Sequence, residues 1–255
     1  MIPERVRDSA YRIGAIARHN VLIRLRDPGQ MISYIVMPMI LMPVLKPMYV
    51  RAVQGGTIQV TTGLLVMFSV FAVAVAGNSI LVERNWQTWD RLRQSRASSA
   101  ELLIGKTIPI YVVMTFQQAL LFVYGCLVIG LPIPHSLWWV LLAVVIWPFT
   151  LLSIGAALAT VARSSGELGV ISDVGALVLS SLGGALVPLV LMPGWLQGAA
   201  HASPGYWALQ MFRGAVDDDA REVLVPGAVL AGLGLIAAVF AVRRLTRGWG
   251  RARML

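Results

Sequence analysis

Six apolar stretches, each about long enough to cross a bilayer, leave this 255-residue chain few folds to choose from. A spanning helix needs about 20 largely apolar residues. The stretches run approximately over 32–49, 60–82, 108–130, 138–161, 168–192 and 223–242. They lack strand alternation and are too long for barrel strands. Helices are therefore the spanning element that satisfies the backbone in lipid. Only 13% of residues are charged, against about 25% in a soluble domain. The expectation is an all-α integral membrane protein with six transmembrane helices, forming one domain over residues 1–255. This excludes an ordinary soluble enzyme. The lone Cys126 excludes an intramolecular disulfide framework. Glu4, Arg5, Arg7 and Asp8 stand where the apolar core of a signal peptide would begin, so none is expected.

The net charge of +9 would suggest nucleic acid in a soluble protein. Here the positions of the charges matter more than their sum. Arg5, Arg7, Arg12, Arg18, Arg24 and Arg26 precede the first span. Arg84, Arg91, Arg93, Arg96 and Lys106 lie between spans two and three. Arg163 lies between spans four and five, and Arg243, Arg244, Arg247, Arg251 and Arg253 follow span six. The other side holds Lys46, Arg51, Arg213 and Arg221. The positive-inside rule puts both termini in the cytoplasm, as an even number of spans requires. The basic excess then needs no nucleic acid, and contact with anionic lipid is its secondary use.

Residues 4–26 read as an amphipathic helix. Val6, Ala10, Ile13, Ala17 and Val21 form one stripe, with Arg5, Asp8, Arg12, His19 and Arg26 well off it. Such a helix lies in the membrane interface as an elbow. Asp27-Pro28-Gly29 ends it. Residues 83–106 form the long loop on the basic side. Trp86 and Trp89 share a helical face with Arg93, in a run that mixes charge with aromatics. That composition fits a protein–protein socket and equally an interfacial aromatic belt. Gly105-Lys106-Thr107 is not the end of a phosphate loop, because position 100 is Ala and no strand precedes it.

Glu83-Arg84, Thr88, Leu92, Ser95, Ser98-Ser99, Leu102-Leu103 and Gly105-Lys106 together resemble the loop of ABC transporter type-2 permeases. Gln87 and Arg96 stand where that family usually has Gly and Pro. Arg26-Asp27-Pro28 is similar to the family's Arg-x-Pro before the first span. Pro193, Trp195-Leu196, Pro204 and Arg213 resemble its external segment. The nearest flavour is the daunorubicin-resistance and nodulation-exporter group. The resemblance implies a bacterial plasma-membrane exporter permease of antibiotic-resistance type, and the mostly apolar spans favour an amphipathic or lipophilic cargo. ATP and magnesium would reside on a separate ATPase subunit, and this chain would hold no cofactor. A second permease, identical or homologous, would complete the transporter. Carried over residue by residue, Glu83, Arg84, Thr88 and Leu92 are the coupling candidates. Trp86, Trp89, Asp90 and Arg91 join them on local chemistry.

Polar and helix-bending residues inside the spans mark a candidate transport path. Span one holds Pro38, Pro43 and Pro47, which predict a kinked or broken helix. Ser69 and Asn78 in span two, and Ser180 and Ser181 in span five, lie among small residues that also suit a helix–helix seam. Asp173 is the clear intramembrane acid, a functional candidate by its cost in lipid, with Arg163 as a possible structural partner. Residues 193–222 are too polar to span. Two short helices around Trp195-Leu196 and Tyr206-Trp207 would re-enter the outer leaflet, making Pro193, Trp195, Pro204 and Arg213 an external gate. Asp219 and Glu222 have capping-box spacing. His135 and His201 lack companions at metal spacing, so no metal site is expected. An ion-coupled secondary transporter would want more buried acids. A membrane-embedded lipid-modifying enzyme would want clustered catalytic groups. Both remain alternatives.

Overall fold

The computed structural model describes residues 9, 11–18, 20–21, 29–85 and 98–246. Six helices are long and apolar enough to cross a membrane, and no strand occurs among the described residues. α1 is Gly29–Ala52, α2 is Gly56–Val70 and α3 is Ala72–Asn85. α4 is Ser99–Tyr124, extended by a π-helical turn over Gly125–Ile129. α5 is Leu137–Val161 and α6 is Ser165–Leu182. Two short helices follow, α7 at Gly194–Ala200 and α8 at Pro204–Val216, before the final α9 at Ala220–Thr246.

The second span is α2 and α3 joined end to end at Phe71, covering Gly56–Val82. It is the centre of the bundle, with 65% of its apolar window buried, and α5 follows at 61%. α1 and α6 lie outside, at 17% and 22%. α5 packs on α3, α8 and α9, while α6 packs on α2 and α3. The large core joins Leu64, Leu65, Leu121, Trp147, Phe212 and Leu230. A smaller core at the other end joins Ile80, Leu81, Leu102, Ala159, Leu168 and Leu245. This second core lies where α3 ends and α4 begins; we call it the basic end.

Several expectations change. Of the kinked or broken helix expected at Pro38, Pro43 and Pro47, the break does not occur, as α1 runs through all three. Within a spanning helix, neighbouring helices and local backbone adjustment tolerate proline. The fifth span ends at Leu182, well before residue 192. Gly183-Gly184 turns the chain, with Gly184 at φ +83°, where a side chain would be strained. The apolar residues 185–192 that prolonged the hydropathy signal are a loop with a short 3₁₀ turn. Both ends of the loop expected over 83–106 are helical, since α3 continues through Asn85 and α4 starts at Ser99, and residues 86–97 lie outside the described residues.

The three consecutive aspartates end one helix and start two others. The Asp217 amide donates to the Arg213 carbonyl at 2.9 Å, and the Asp219 amide reaches back to Gly214 at 3.0 Å. Between them Asp218 takes the left-handed conformation at φ +57°. This closes α8 as a Schellman motif. The Asp218 carboxylate accepts from the amides of His135 (2.8 Å) and Ser136 (2.9 Å), just before α5. His135 Nδ1 lies 3.2 Å from the same carboxylate. Partial burial pushes the Asp218 carboxyl up, but these hydrogen bonds outweigh it and hold the group below its usual range. Asp219 Oδ1 accepts from the amides of Arg221 and Glu222, capping α9. The capping box expected there is half made, since the Asp219 amide is committed to Gly214.

Candidate functional site

The basic end is organised by a capping motif that the sequence carries in plain form, Ser98-Ser99-Ala100-Glu101. Ser98 Oγ accepts from the Glu101 amide at 3.2 Å, and Glu101 Oε2 accepts from the Ser98 amide at 2.8 Å. This capping box fixes where α4 begins. The same carboxylate has a second duty. Arg12 Nη2 donates to Glu101 Oε1 at 2.8 Å, and Arg12 Nε to Oε2 at 3.2 Å. Ser9 Oγ also donates to Glu101. The two-pronged guanidinium contact is a geometry lysine cannot reproduce. Glu101 is buried and Arg12 is partly so.

Arg12 belongs to the helical segment 11–18, which docks on α4 one turn further along. A Cβ added at Gly105 would stand 2.9 Å from Ile16 Cβ and 3.2 Å from the Ile13 carbonyl. The elbow helix therefore turns Ser9, Arg12, Ile13 and Ile16 toward α4, with Ile16 against the smaller core. Expected on the wet face, Arg12 instead faces protein, because the Glu101 carboxylate waits there. Val21, expected on the apolar stripe, is 40% exposed. Residues 4–8, 10, 19 and 22–26 of the expected elbow lie outside the described residues.

Lys106 is 4% exposed. Its Nζ donates to the Ser79 carbonyl at 3.1 Å, tying α4 to α3. The Leu102-Leu103-x-Gly105-Lys106 run thus divides its labour. The leucines fill the small core, Gly105 admits the elbow, and Lys106 crosses to α3. Both flanks of residues 86–97 are braced by this arrangement. The coupling candidates Trp86, Thr88, Trp89, Asp90, Arg91 and Leu92 lie outside the described residues. Glu83 and Arg84 fall in the last turn of α3.

The candidate path residues differ in burial and in bonding. Pro38 is buried, whereas Pro43 is exposed on α1. Ser69 Oγ is committed to the Leu65 carbonyl of its own helix at 2.6 Å. Asn78 Oδ1 and Ser180 Oγ are buried without a protein partner, as are Gln59 Oε1 and both amide atoms of Gln118. Such groups in a bundle interior call for water. Ser181 is half-buried beside Ser180. Asp173 is exposed on an outer face of α6, next to Val170 and Val174, 64% and 55% exposed. It makes no ion pair with Arg163, whose amide donates to Glu167 at 2.8 Å.

At the opposite end Pro193 caps α7, and Trp195 is 75% exposed. Pro204 starts α8. Ser203 Oγ donates to the Leu179 carbonyl at 2.7 Å and so fastens α8 to the end of α6. α8 is amphipathic, burying Ala208, Met211, Phe212 and Ala215 against α2, α5 and α9. Arg213 lies at its end, lining a cavity of about 570 Å³ with Gln54, Leu189 and Asp217. Burial draws the Arg213 guanidinium below its usual range, and the charges of Asp217 and Glu222 draw it back up.

The family described as ABC-2 type transporter matches residues 11–216. The chain is 25% identical over 146 residues to the "Probable multidrug ABC transporter permease YbhR" of Escherichia coli K12, and equally to that of strain O157:H7. The aligned stretch is 57% of this chain and spans 40% of each relative.

Proposed function

Because this chain belongs to the ABC-2 type transporter family and is a multi-pass membrane protein, we propose that it is the permease subunit of an ATP-driven exporter. ATP and its magnesium are held by a separate ATPase chain, and this chain only transports. The ATPase docks on the segment beginning at Glu83 and Arg84 and running through Leu92. The brace around that segment carries the reading. α3 and α4 are joined by Lys106 and Ser79, and α4 is joined to the elbow by Glu101 and Arg12. A push on the intervening residues is then passed to three elements as one body. Without the brace, the push would dissipate in a loop.

The cargo is amphipathic or lipophilic, a drug, lipid or glycolipid. The apolar spans support this, as does the named role of the Escherichia coli relatives. Both termini face the cytoplasm of a bacterial cell, by the distribution of Lys and Arg. Pro193, Trp195, Pro204 and Arg213 form the gate at the far end. Leu92→Ala and Glu83→Ala should leave the ATPase rate of the purified complex within about twofold, while export falls roughly tenfold, a barrier change of about 1.4 kcal/mol. Undiminished export by the chain reconstituted with no ATPase would overturn the proposal in favour of ion-coupled transport.

The second permease meets this one through α1 and α6. These are the least buried of the spans, and α6 carries Asp173 on its exposed apolar face. A carboxylate facing acyl chains costs several kcal/mol at mid-bilayer, so protein or a water-filled path covers it in the assembly. Asp173→Cys should cross-link two permeases in membranes. Labelling of that cysteine by lipid-phase reagents, with no cross-link to a second permease, would place α6 against lipid instead.

A further inference from the structure

The cavity of about 570 Å³ that Arg213 lines opens between the α1–α2 junction, the loop at 188–191 and α8. Ala52 ends the first spanning helix and Gly56 begins the second. Ala52 and Gly55 both line the cavity. It therefore stands where two spans leave the bilayer, at the depth of lipid headgroups. Its walls are fixed from within. Tyr49 Oη donates to the Leu186 carbonyl, and Gln59 Nε2 donates to the Gly184 carbonyl at 2.8 Å. The loop is thus fastened to α1 and α2 before any ligand arrives, which lowers the cost of binding one.

Two opposite charges line this cavity, Arg213 and Asp217. They stand at positions i and i+4, a helical spacing at which such side chains ordinarily pair. Here they stay apart, since Asp217 has left the helix as the C-cap of α8. Among the described residues no carboxylate lies within ion-pair distance of Arg213. Arg213 is half-buried and Asp217 is exposed, so the guanidinium lies deep and the carboxylate at the mouth. Glu222, whose charge also reaches Arg213, is turned against Gly214 and does not line the cavity. The remaining wall is largely hydrocarbon, from Ile58, Pro188, Leu189 and Leu191 among others. Val190 and Leu191 continue it outward, 74% and 55% exposed. A head with one phosphate and one ammonium on a hydrocarbon body matches this lining. A purely anionic head would satisfy Arg213 but meet Asp217 as a like charge, and a purely cationic head would do the reverse.

We propose that this cavity binds the head of a zwitterionic phospholipid of the phosphatidylethanolamine type, with its phosphate on Arg213, its ammonium toward Asp217 and its acyl chains along Val190 and Leu191. The bound head ties α8 to the α1–α2 junction and the loop at 188–191, so the lipid raises the unfolding temperature by mass action. Binding of this head does not depend on the exporter reading, and it is measured without transport.

The test titrates the delipidated, purified permease, with any subunits that co-purify, with dioleoyl phosphatidylethanolamine and, separately, dioleoyl phosphatidylglycerol. Native mass spectrometry counts bound lipid and thermal unfolding reports its effect. One phosphatidylethanolamine per chain should be held about fivefold more tightly than phosphatidylglycerol, the worth of one ammonium–carboxylate contact at a wet mouth. Asp217→Asn, at an exposed position, should bring the two lipids within about twofold of each other. Arg213→Gln should weaken both about tenfold, as loss of a charge-assisted contact to phosphate predicts. A phosphatidylethanolamine with a diazirine near the carbonyl end of one acyl chain should cross-link the unaltered chain within 52–58 or 188–191. That arm, with D217N, keeps the test decisive if R213Q fails to fold. Equal affinity of the unaltered protein for the two lipids, an unchanged preference in D217N, parent-like retention by a folded R213Q, or cross-links confined to other segments would each overturn the proposal.

Discussion

Arg12→Gln is expected to lower ATP-driven export about tenfold and to expose the elbow to trypsin at Arg18. The reason lies in what the substitution strands. Glu101 is 8% exposed and accepts three kinds of donor: Arg12, Ser9 and the Ser98 amide. Removing the guanidinium leaves a buried carboxylate with its charge uncompensated. A fully buried pair broken this way costs about 3–5 kcal/mol, and an exposed pair about 0–1. The Arg12 side chain is 31% exposed, so roughly 1–3 kcal/mol is expected between those limits. That is enough to release a helix held otherwise by Ile13 and Ile16 on Gly105. Glu101→Gln should behave as the milder single change, because glutamine can still complete the capping box. The double variant R12Q/E101Q should recover part of the loss, since two neutral partners can still hydrogen-bond and no lone charge is buried. Tryptic cleavage at Arg18 that is no faster in R12Q than in the parent would show that the elbow is held elsewhere, and the brace would lose its role.

Hydropathy made the spans legible because lipid imposes one rule on every segment that crosses it. Three features escaped for distinct physical reasons. Residues 185–192 are apolar without continuing the α-helix, since Gly183-Gly184 lets the chain turn and hydropathy carries no information about direction. The pairing of Arg12 with Glu101 joins residues 89 apart in sequence, and no local period reports such a contact. Lys106 counted as a loop charge, yet its ammonium reaches the Ser79 carbonyl from inside α4. The capping box at Ser98 also went unread, although serine three residues before glutamate ahead of an apolar run announces a helix start. The residues named for the family resemblance gained physical roles at Ser98, Leu102, Leu103, Gly105 and Lys106. Thr88 and Leu92 fall outside the described residues, and their role rests on the resemblance; Trp86, Trp89, Asp90 and Arg91 lie outside them too, and their role rests on local chemistry.

Gly155→Val should be among the most damaging substitutions at the crossing of α3 and α5. α3 and α5 cross where Gly77 faces Gly155. A Cβ placed at Gly155 would stand 2.6 Å from the Val73 carbonyl oxygen and 3.0 Å from Ala76 Cβ. At Gly77 it would lie 2.8 Å from Leu168 Cδ2 and 3.0 Å from the Gly155 oxygen. At Gly155 the nearest obstacle is backbone, so no side-chain rotation relieves the clash and the helices must separate. Close approach through small residues drives helix association in lipid, where no hydrophobic effect pulls helices together. Overpacking typically costs about 1–3 kcal/mol and occasionally more, and valine at Gly155 belongs at the upper end. Alanine should cost less, partly offset by its helix propensity, worth about 1 kcal/mol over glycine. Gly169 and Gly175 on α6 supply the control, because a Cβ at either meets nothing within 4 Å. Gly175→Ala should express and unfold like the parent, whereas G155V should yield little monodisperse protein. What survives should unfold at a clearly lower temperature. The damage should reach function as well as stability, because α3 is the helix that ends in Glu83 and Arg84. Shifting it relative to α5 would move Glu83 and Arg84, where the segment proposed for coupling begins, away from the α4 start that Lys106 and Glu101 hold in place. A G155V protein of normal yield and unchanged unfolding midpoint would mean that α3 and α5 cross at a greater distance than their glycines require.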